Sequence, residues 1–573
     1  MNILRLVVYS TITILILEYL SKRTIKKVLM LKSYALVLNV LILLDVLLLF
    51  NLLTKNFQGT LIVVTILIII FGIANRIKID YRQTGFTPFD FLILREAKYM
   101  AGALNKKSML NLVVTALISL LILLMLTKFI NEPIIDTNLK NSIIIISIVM
   151  PLIFYITGPL YNQKISVFEL GTIFYFFSYL NDPPKIRIAN RKRDLKSSIS
   201  SINKRAEEPD VIIIQSESFI DPFVLGQHNF NKDPLPFYRT ILNESYSFSM
   251  STRAFGGGTV HTEYEILTGL STVFFPRDTT VFSRYIKDSL PSIGSILHQQ
   301  GFKSLLIHPY LEWYYNRTNV YRKLGFDRFL TLKSFESKTK EYVKDIDVFN
   351  RIVHELNAGN NLIVAVTMQN HTPYSDDIYN NANKYHGNFS NSDTNIHFNN
   401  FLNGLSETDK SLSYLIDELK KRDKETILLF YGDHLPVINQ DATFYEESSW
   451  SKAKFDSWKY YFDLSKSPGF IWSNRRTING NIKDIDATAV LPILLKELNL
   501  DFPDYLKKMD TLLIKDGING FFRDYLIKDG EFYDSVHPIY KKLYNNIKDI
   551  NESVFNDPKY DKWCFDNETY EVN

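Results

Sequence analysis

The sequence predicts two parts: an α-helical transmembrane bundle, then an α/β domain built on a central, mostly parallel sheet. Three observations carry that expectation. Runs of Leu, Ile, Val and Phe crowd the first third of the chain. From about residue 210, short β-branched runs alternate with helix-compatible stretches. Polar residues of ligand type follow the ends of several of those runs. A chain of 573 residues has room for more than one domain.

Five apolar segments form the first part: Ile3–Leu20, Leu31–Leu53, Thr60–Ala74, Met109–Ile130 and Ser142–Leu160. Most approach the roughly 20 residues that cross a bilayer, and the third is short. The first is not a cleavable signal peptide: Lys and Arg follow it without a small-residue cleavage pattern, and more apolar spans come after. The loops around Lys22–Lys32 and Arg76–Lys107 are basic, so the positive-inside rule with five spans puts the C-terminal domain in the cytoplasm. Asp80–Asn105, if it lies along the interface, is one way out of that assignment. Ile165–Leu180 is aromatic and weakly polar, as expected of an interfacial helix. Asn181-Asp-Pro-Pro184 ends it, and a basic linker runs from Lys185 to Glu208. The expected boundaries are 1–160 for the transmembrane part, 161–209 for the interfacial helix and linker, 210–505 for the catalytic domain, and 506–573 for a C-terminal extension of unassigned role.

In the second part, Asp210–Gln215, Ser304–His308, Asn361–Thr367 and Thr426–Tyr431 have the β-branched, continuously apolar character of buried parallel strands. Helical patterns such as Ser292–Gln300 and Asp409–Lys421 lie between them. In such sheets, ligands bind beyond the carboxyl ends of the strands. Glu217 follows the first run. His308, Trp313, Tyr315 and Arg317 follow the second. His371 follows the third, and Asp433 and His434 follow the fourth. Formal net charge is only +4, which gives no argument for nucleic acid. The single cysteine, Cys564, excludes an intramolecular disulfide and a cysteine metal cluster.

Phe255-Gly-Gly-Gly-Thr-Val-His-Thr-Glu-Tyr-Glu-Ile-Leu-Thr-Gly269 leads three glycines into Thr259 and an apolar helix. Glycine allows close backbone approach, and a helix start favours an anion. Thr259 is therefore a candidate nucleophile facing a phosphate or sulfate, with an ordinary N-cap as the plain alternative. Glu217, Asp433 and His434 offer oxygen and nitrogen donors for a divalent ion, with Thr259 completing the set. Such an ion would ease deprotonation of the hydroxyl. Arg317 suits bidentate phosphate binding. His371 and His308 suit charge stabilisation or proton transfer. By residue type alone His308 is equally a core histidine and Tyr315 a packing residue.

These stretches resemble the lipoteichoic acid synthase and phosphoglycerol transferase family, within the sulfatase and alkaline phosphatase superfamily. The resemblance rests on Ser-Glu-Ser-Phe-Ile-Asp-Pro at 216–222, Gly-Gly-Gly-Thr at 256–259, Glu-Tyr-Glu-Ile-Leu-Thr-Gly at 263–269, Tyr-Asn-Arg at 315–317, Asn-His-Thr-Pro-Tyr at 370–374 and Tyr-Gly-Asp-His at 431–434. It also implies that Ile485–Pro492 is the late Asp-containing segment of the sheet. It implies an α-helical transmembrane bundle followed by a sulfatase/alkaline-phosphatase-like domain. It implies catalytic Mn²⁺ (Zn²⁺ and Mg²⁺ also suit the donors) on Glu217, Thr259, Asp433 and His434. Thr259 would be the nucleophile, and His308, Tyr315, Arg317 and His371 would bind substrate. Tyr315 stands where related synthases carry tryptophan, a departure that bears on polymer binding. The implied reaction moves glycerol phosphate from phosphatidylglycerol to a glycerol phosphate polymer, a glycolipid or a wall polysaccharide through a covalent threonine intermediate. The domain would then face outside a multi-pass cell membrane protein. Phosphoethanolamine transfer, phosphodiester hydrolysis and an inactive polymer-binding protein are the alternatives. Threonine at the nucleophile position, with Cys564 far outside the motif, argues against sulfate ester hydrolysis.

Overall fold

The computed structural model describes residues 2–22, 25–82, 85–93, 106–130, 167–179, 183–189, 193, 208–225, 230–276, 279–336, 342–359, 361–372, 374, 385–389, 392–438, 444–448, 450–454, 457–567 and 569–573. They form two compact units, Met1–Pro183 and Pro184–Asn573.

The first unit holds four helices long and apolar enough to cross a membrane, with spans Leu4–Ser21, Ser33–Thr54, Phe57–Ile79 and Leu110–Thr127. The short third segment of the sequence lies inside a longer helix, Phe57–Arg82, because Asn75, Arg76 and Lys78 continue it past the apolar run. The expected fifth span, Ser142–Leu160, lies outside the described residues. Two pairs of polar groups inside the bundle are matched to one another. Tyr9 pairs with Thr65 at 2.5 Å, and Lys78 with Asp90 at 2.8 Å, both buried. Such pairing is what an apolar surrounding demands.

The segment expected as one interfacial helix is two short ones, Val167–Leu170 and Thr172–Ser178, broken at Gly171 with φ +79°. A Cβ at Gly171 would sit 2.7 Å from Asn39 Nδ2, so the residue serves both turn and close approach. Transmembrane side chains cap the second short helix. Glu18 Oε1 accepts from Thr172 N at 2.6 Å, and Asn39 Oδ1 accepts from Ile173 N and Phe174 N at 3.1 and 2.9 Å. These donors have no partner within their own helix. Glu18 therefore has a structural role in the bundle.

The second unit is organised by a nine-stranded sheet, in the order β12-β4-β3-β5-β1-β6-β7-β2-β8. The strands are β1 Asp210–Ser216, β2 Tyr246–Ser251, β3 Ser304–Ile307, β4 Arg328–Leu330, β5 Leu362–Val366, β6 Thr426–Gly432, β7 Lys466–Ser473, β8 Gly480–Asp486 and β12 Glu571–Val572. β7 runs antiparallel to β6 and β2, and the other pairings are parallel. β1 is central and buried throughout. Val211 and Ile213 face one hydrophobic core, and Ile212 and Ile214 the other. A strand covered on both faces needs apolar residues at every position, which is why it reads as a continuous run. Each such side chain contributes about 1.5–3 kcal/mol on burial. Ser292–Gln300 and Asp409–Lys421 lie on helices Ile293–His298 and Ser392–Lys420.

The chain after residue 506 is built into this unit. β9 Ile518–Phe521, β10 Tyr525–Lys528 and β11 Glu531–Asp534 form an antiparallel sheet. The helix Pro538–Asn556 buries Tyr540, Ile547 and Val554. β12 then joins the edge of the main sheet beside β4. The described part of the expected linker also packs here, with Ile186 in the core and Arg193 ion-paired to Asp561 at 2.9 Å.

Candidate active site

The register of the central strands builds the site. Ser216 at the end of β1 lies opposite Gly432 at the end of β6, so the residues that follow, Glu217 and Asp433, emerge side by side. Glu217, Asp433 and His434 offer ligand atoms that all lie within 4.8 Å of one another, and all three are buried. Thr259 opens the helix Thr259–Thr268, behind Gly256, Gly257 and Gly258 at φ +63°, +146° and +84°. Gly258 occupies the cap position, so Thr259 is the first helical residue and its hydroxyl is not used as a cap. Thr259 Oγ1 stands 3.3 Å from Glu217 Oε2 and 3.5 Å from His434 Nε2. The sequence-predicted ligand set therefore converges on one point.

The donors fit a divalent cation. His434 Nδ1 donates to the Leu435 carbonyl at 3.1 Å, which leaves Nε2 with its lone pair directed among the carboxylates. Asp433 Oδ1 accepts from Ser218 N and His434 N at 2.8 and 2.9 Å, while Oδ2 is buried and accepts no hydrogen bond. Burial and the neighbouring Asp433 push the Glu217 carboxyl up to about 8. Two crowded carboxylates and an orphaned oxygen are the condition that a cation relieves. A Cβ on Gly257 would meet nothing within 4 Å, so open space lies beside the nucleophile loop.

A second group lies behind the helix that carries Thr259. Glu263, one turn after Thr259, accepts Arg317 Nη2 at 2.9 Å and Tyr321 Oη at 2.6 Å. Arg317 is 1% exposed and lies 5.2 Å from the Tyr315 ring centre. Tyr315 and Asn316 have φ +56° and +60°, two successive left-handed residues that turn the chain sharply into the helix Arg317–Lys323. His308 Nδ1 donates to the Val366 carbonyl at 3.0 Å, and its Nε2 is buried without a hydrogen-bond partner. Burial, then the Arg317 charge, hold the imidazole well below its usual pKa, so His308 is neutral. His371 is half-buried, with Nδ1 2.7 Å from the Thr372 carbonyl and 3.0 Å from Tyr342 Oη.

Sequence reasoning missed the supports of this site. Glu263 sits four residues after Thr259, the spacing that shares a helix face, and that spacing is the signal that finds it. Arg253, which pairs with Glu265 and Asp486, ties the helix that carries Thr259 to the end of β8. Asp486 thus braces the site and lies outside the metal cluster.

The sulfatase family profile matches residues 209–488, which hold every one of these side chains. Among curated relatives, a Rhizobium meliloti protein named for cyclic beta-1,2-glucan modification is 32% identical over 52% of this chain and 47% of its own. The lipoteichoic acid synthase of Staphylococcus saprophyticus is 24% identical over 58% of this chain and 52% of its own. The chain thus spans about half the length of these relatives. Over this domain the chain is similar to the sulfatase family and to the lipoteichoic acid synthases. Among solved structures, the Streptococcus pyogenes phosphoglycerol transferase GacH, in complex with sn-glycerol-1-phosphate, is similar at 24% identity and TM-score 0.49, covering 65% of this chain and 95% of its own. In this chain Cys564 is buried near the C-terminus, its thiol 3.4 Å from the Tyr560 carbonyl, and the position behind the glycines carries threonine.

Proposed function

We propose that this chain is a membrane-anchored phosphoglycerol transferase, moving glycerol phosphate from phosphatidylglycerol to a cell-envelope acceptor through a covalent intermediate on Thr259. The observation that carries this is the hydroxyl of Thr259 at a helix start, within 3.5 Å of both Glu217 and His434. Relatives named as lipoteichoic acid synthases, and for glucan modification and capsular polysaccharide biosynthesis, support a cell-envelope polymer or polysaccharide as acceptor. The four apolar helices supply the reason for a lipid donor. In this reading the catalytic domain faces outside the cell.

Glu217, Asp433, His434 and Thr259 would hold the divalent cation, Mn²⁺ in our assignment. Bound there, it lowers the pKa of the Thr259 hydroxyl and offsets phosphate charge. Thr259 Oγ1 gives its proton to solvent water and forms a bond to phosphorus in line, and the bond from phosphorus to the diacylglycerol oxygen breaks. That oxygen takes up a proton, a transfer we assign to His371. Arg317, fixed by Glu263, stabilises the phosphate oxygens. Neutral His308 accepts a hydrogen bond from a glycerol hydroxyl, and Tyr315 lines the pocket beside it. An acceptor hydroxyl then gives its proton to His371 and bonds to phosphorus, the bond from phosphorus to Thr259 Oγ1 breaks, and that oxygen takes a proton back from solvent.

Head-group-labelled phosphatidylglycerol, purified protein and Mn²⁺ test the proposal, beside Thr259→Ala. Diacylglycerol release by the wild type, with loss of at least a thousandfold in the variant, is the expected result. Equal release by both removes the covalent threonine, and no release by either removes the donor.

A further inference from the structure

Beyond the phosphate site, the catalytic unit carries an aromatic ladder that runs outward from the nucleophile loop. Arg253, six residues before Thr259, lies with its guanidinium carbon 5.6 Å from the Phe522 ring centre. Phe522 stacks on Tyr525 at 4.7 Å and 14°, and Tyr525 stacks on Trp458 at 4.8 Å and 30°. Tyr525 is 5% exposed, whereas Trp458 is 40% exposed. The ladder therefore ends in an indole backed by a buried ring and open to solvent. Tyr461, three residues on and on the same face of the helix Trp458–Leu464, is 43% exposed.

A second route joins the same helix to the nucleophile loop. Phe255, next to Gly256, packs on Tyr445 at 5.4 Å, and Tyr445 on Trp450 at 5.6 Å. Trp450 Nε1 donates to the Asp463 carbonyl at 3.2 Å. The exposed rings are thus rigid and continuous with the loop that carries Thr259.

We propose that Trp458 and Tyr461 form a platform for a neutral pyranose ring of a glycan acceptor. A pyranose presents an apolar C–H face and a rim of hydroxyls. A rigid aromatic surface with polar neighbours matches that shape and loses little entropy on binding. The surrounding charge favours a neutral partner. Lys459 and Lys466 both pair with Asp463, and Lys466 also pairs with Asp484 at 2.9 Å, so cations and carboxylates balance beside the rings. An anionic lipid surface would call for an excess of cations instead. The platform deepens the transferase reading by naming the acceptor class, and rests on that reading for its purpose.

Binding of a linear, unphosphorylated β-glucan oligosaccharide to the full-length protein in detergent, measured by calorimetry, tests it. Trp458→Ala is expected to weaken binding at least tenfold. Trp458→Phe, which keeps a ring over Tyr525, should weaken it less. Absence of wild-type binding, or equal binding by Trp458→Ala with unchanged thermal unfolding, overturns the platform. Proteoliposomes containing brominated phosphatidylcholine add a second arm: quenching of tryptophan fluorescence that disappears in Trp458→Phe assigns the face to lipid and also overturns it. The two readings fail separately. Glucan binding that depends on Trp458, without diacylglycerol release from phosphatidylglycerol, keeps the platform and removes the donor. Diacylglycerol release without glucan binding does the reverse.

Discussion

Glu263 holds the buried Arg317 guanidinium one helical turn from Thr259, and its carboxylate oxygens are divided between Arg317 and Tyr321. Removing the charge of one member of a buried pair strands the other, at a cost of about 3 kcal/mol or more. Glu263→Gln should therefore lower the melting temperature and raise the KM for phosphatidylglycerol at least tenfold, because Arg317 loses its fixed position. A variant with unchanged KM would confine Glu263 to stability. The metal ligands make the converse case. Glu217 and Asp433 crowd each other in the folded protein, so Mn²⁺ should stabilise it by about 2.7 kcal/mol at a hundred times its Kd. Chelation should lower the melting temperature and abolish turnover, and Mn²⁺ should restore both. Asp345 offers a pH signature. It is fully buried and accepts from Thr408 at 2.7 Å, and burial pushes its carboxyl up to about 6. The folded state thus holds this proton more tightly than the unfolded chain, whose aspartates titrate near 4. Its contribution is present below about pH 4 and is lost as pH rises to about 6, on the order of 2–3 kcal/mol. Unfolding measured across that window should show the slope in wild type and a flatter profile in Asp345→Asn.

At the level of elements, Gly432 sets the distance between two strand ends. A Cβ there would lie 2.0 Å from the Phe219 carbonyl oxygen, a backbone atom that cannot step aside. Gly432→Ala should push the β6 end from the turn after β1, separating Asp433 from Glu217. We expect at least a tenfold loss of Mn²⁺ affinity by calorimetry, together with a lower melting temperature. The elements visible in the sequence are those whose patterns have one cause. β1, β3, β5 and β6 are covered on both faces, so they appear as unbroken apolar runs. β2, Tyr-Ser-Phe-Ser-Met-Ser, carries the period-2 alternation of a strand rather than an unbroken apolar run, whereas β7 contains Pro468 and Gly469 and β8 has mostly polar, partly exposed residues, so neither of these two announces a strand. β12 has two residues and exists only by pairing with β4. The site divides in the same way. Glu217, His308, His371, Asp433 and His434 follow legible strands, and Thr259 follows a legible glycine run. Glu263 is found only by its helical spacing from Thr259, and Tyr321 owes its position to a tertiary partner that no local pattern encodes.

For the whole molecule, the arrangement of the membrane unit bears on which side of the bilayer each end occupies. Glu18 lies near the end of the first helix and Asn39 near the start of the second, and both hydrogen-bond to residues 170–174. Asn75, near the end of the third, donates to Thr172 Oγ1 at 3.3 Å. These helix ends therefore lie at the same end of the bundle as Val167–Ser178, the last described helices before the catalytic unit. The basic loop at 22–32 is anchored there too, through Leu31, whose Cδ1 would lie 3.0 Å from a Cβ on Gly171. If that end faces outside, as our proposal requires, the loop violates the usual charge bias. The charge rule and the transferase reading thus make opposite predictions. Cys564 is buried, so the native chain gives little thiol background. Leu29→Cys lies in the basic loop, where Leu29 is 78% exposed, and Lys55→Cys lies in the turn between the second and third helices. Lys421→Cys reports on the catalytic unit, where Lys421 is exposed. A membrane-impermeant maleimide applied to intact cells should label Leu29→Cys and Lys421→Cys and spare Lys55→Cys. Labelling of Lys55→Cys alone would put the catalytic unit in the cytoplasm and separate it from an outer-leaflet donor and any envelope acceptor.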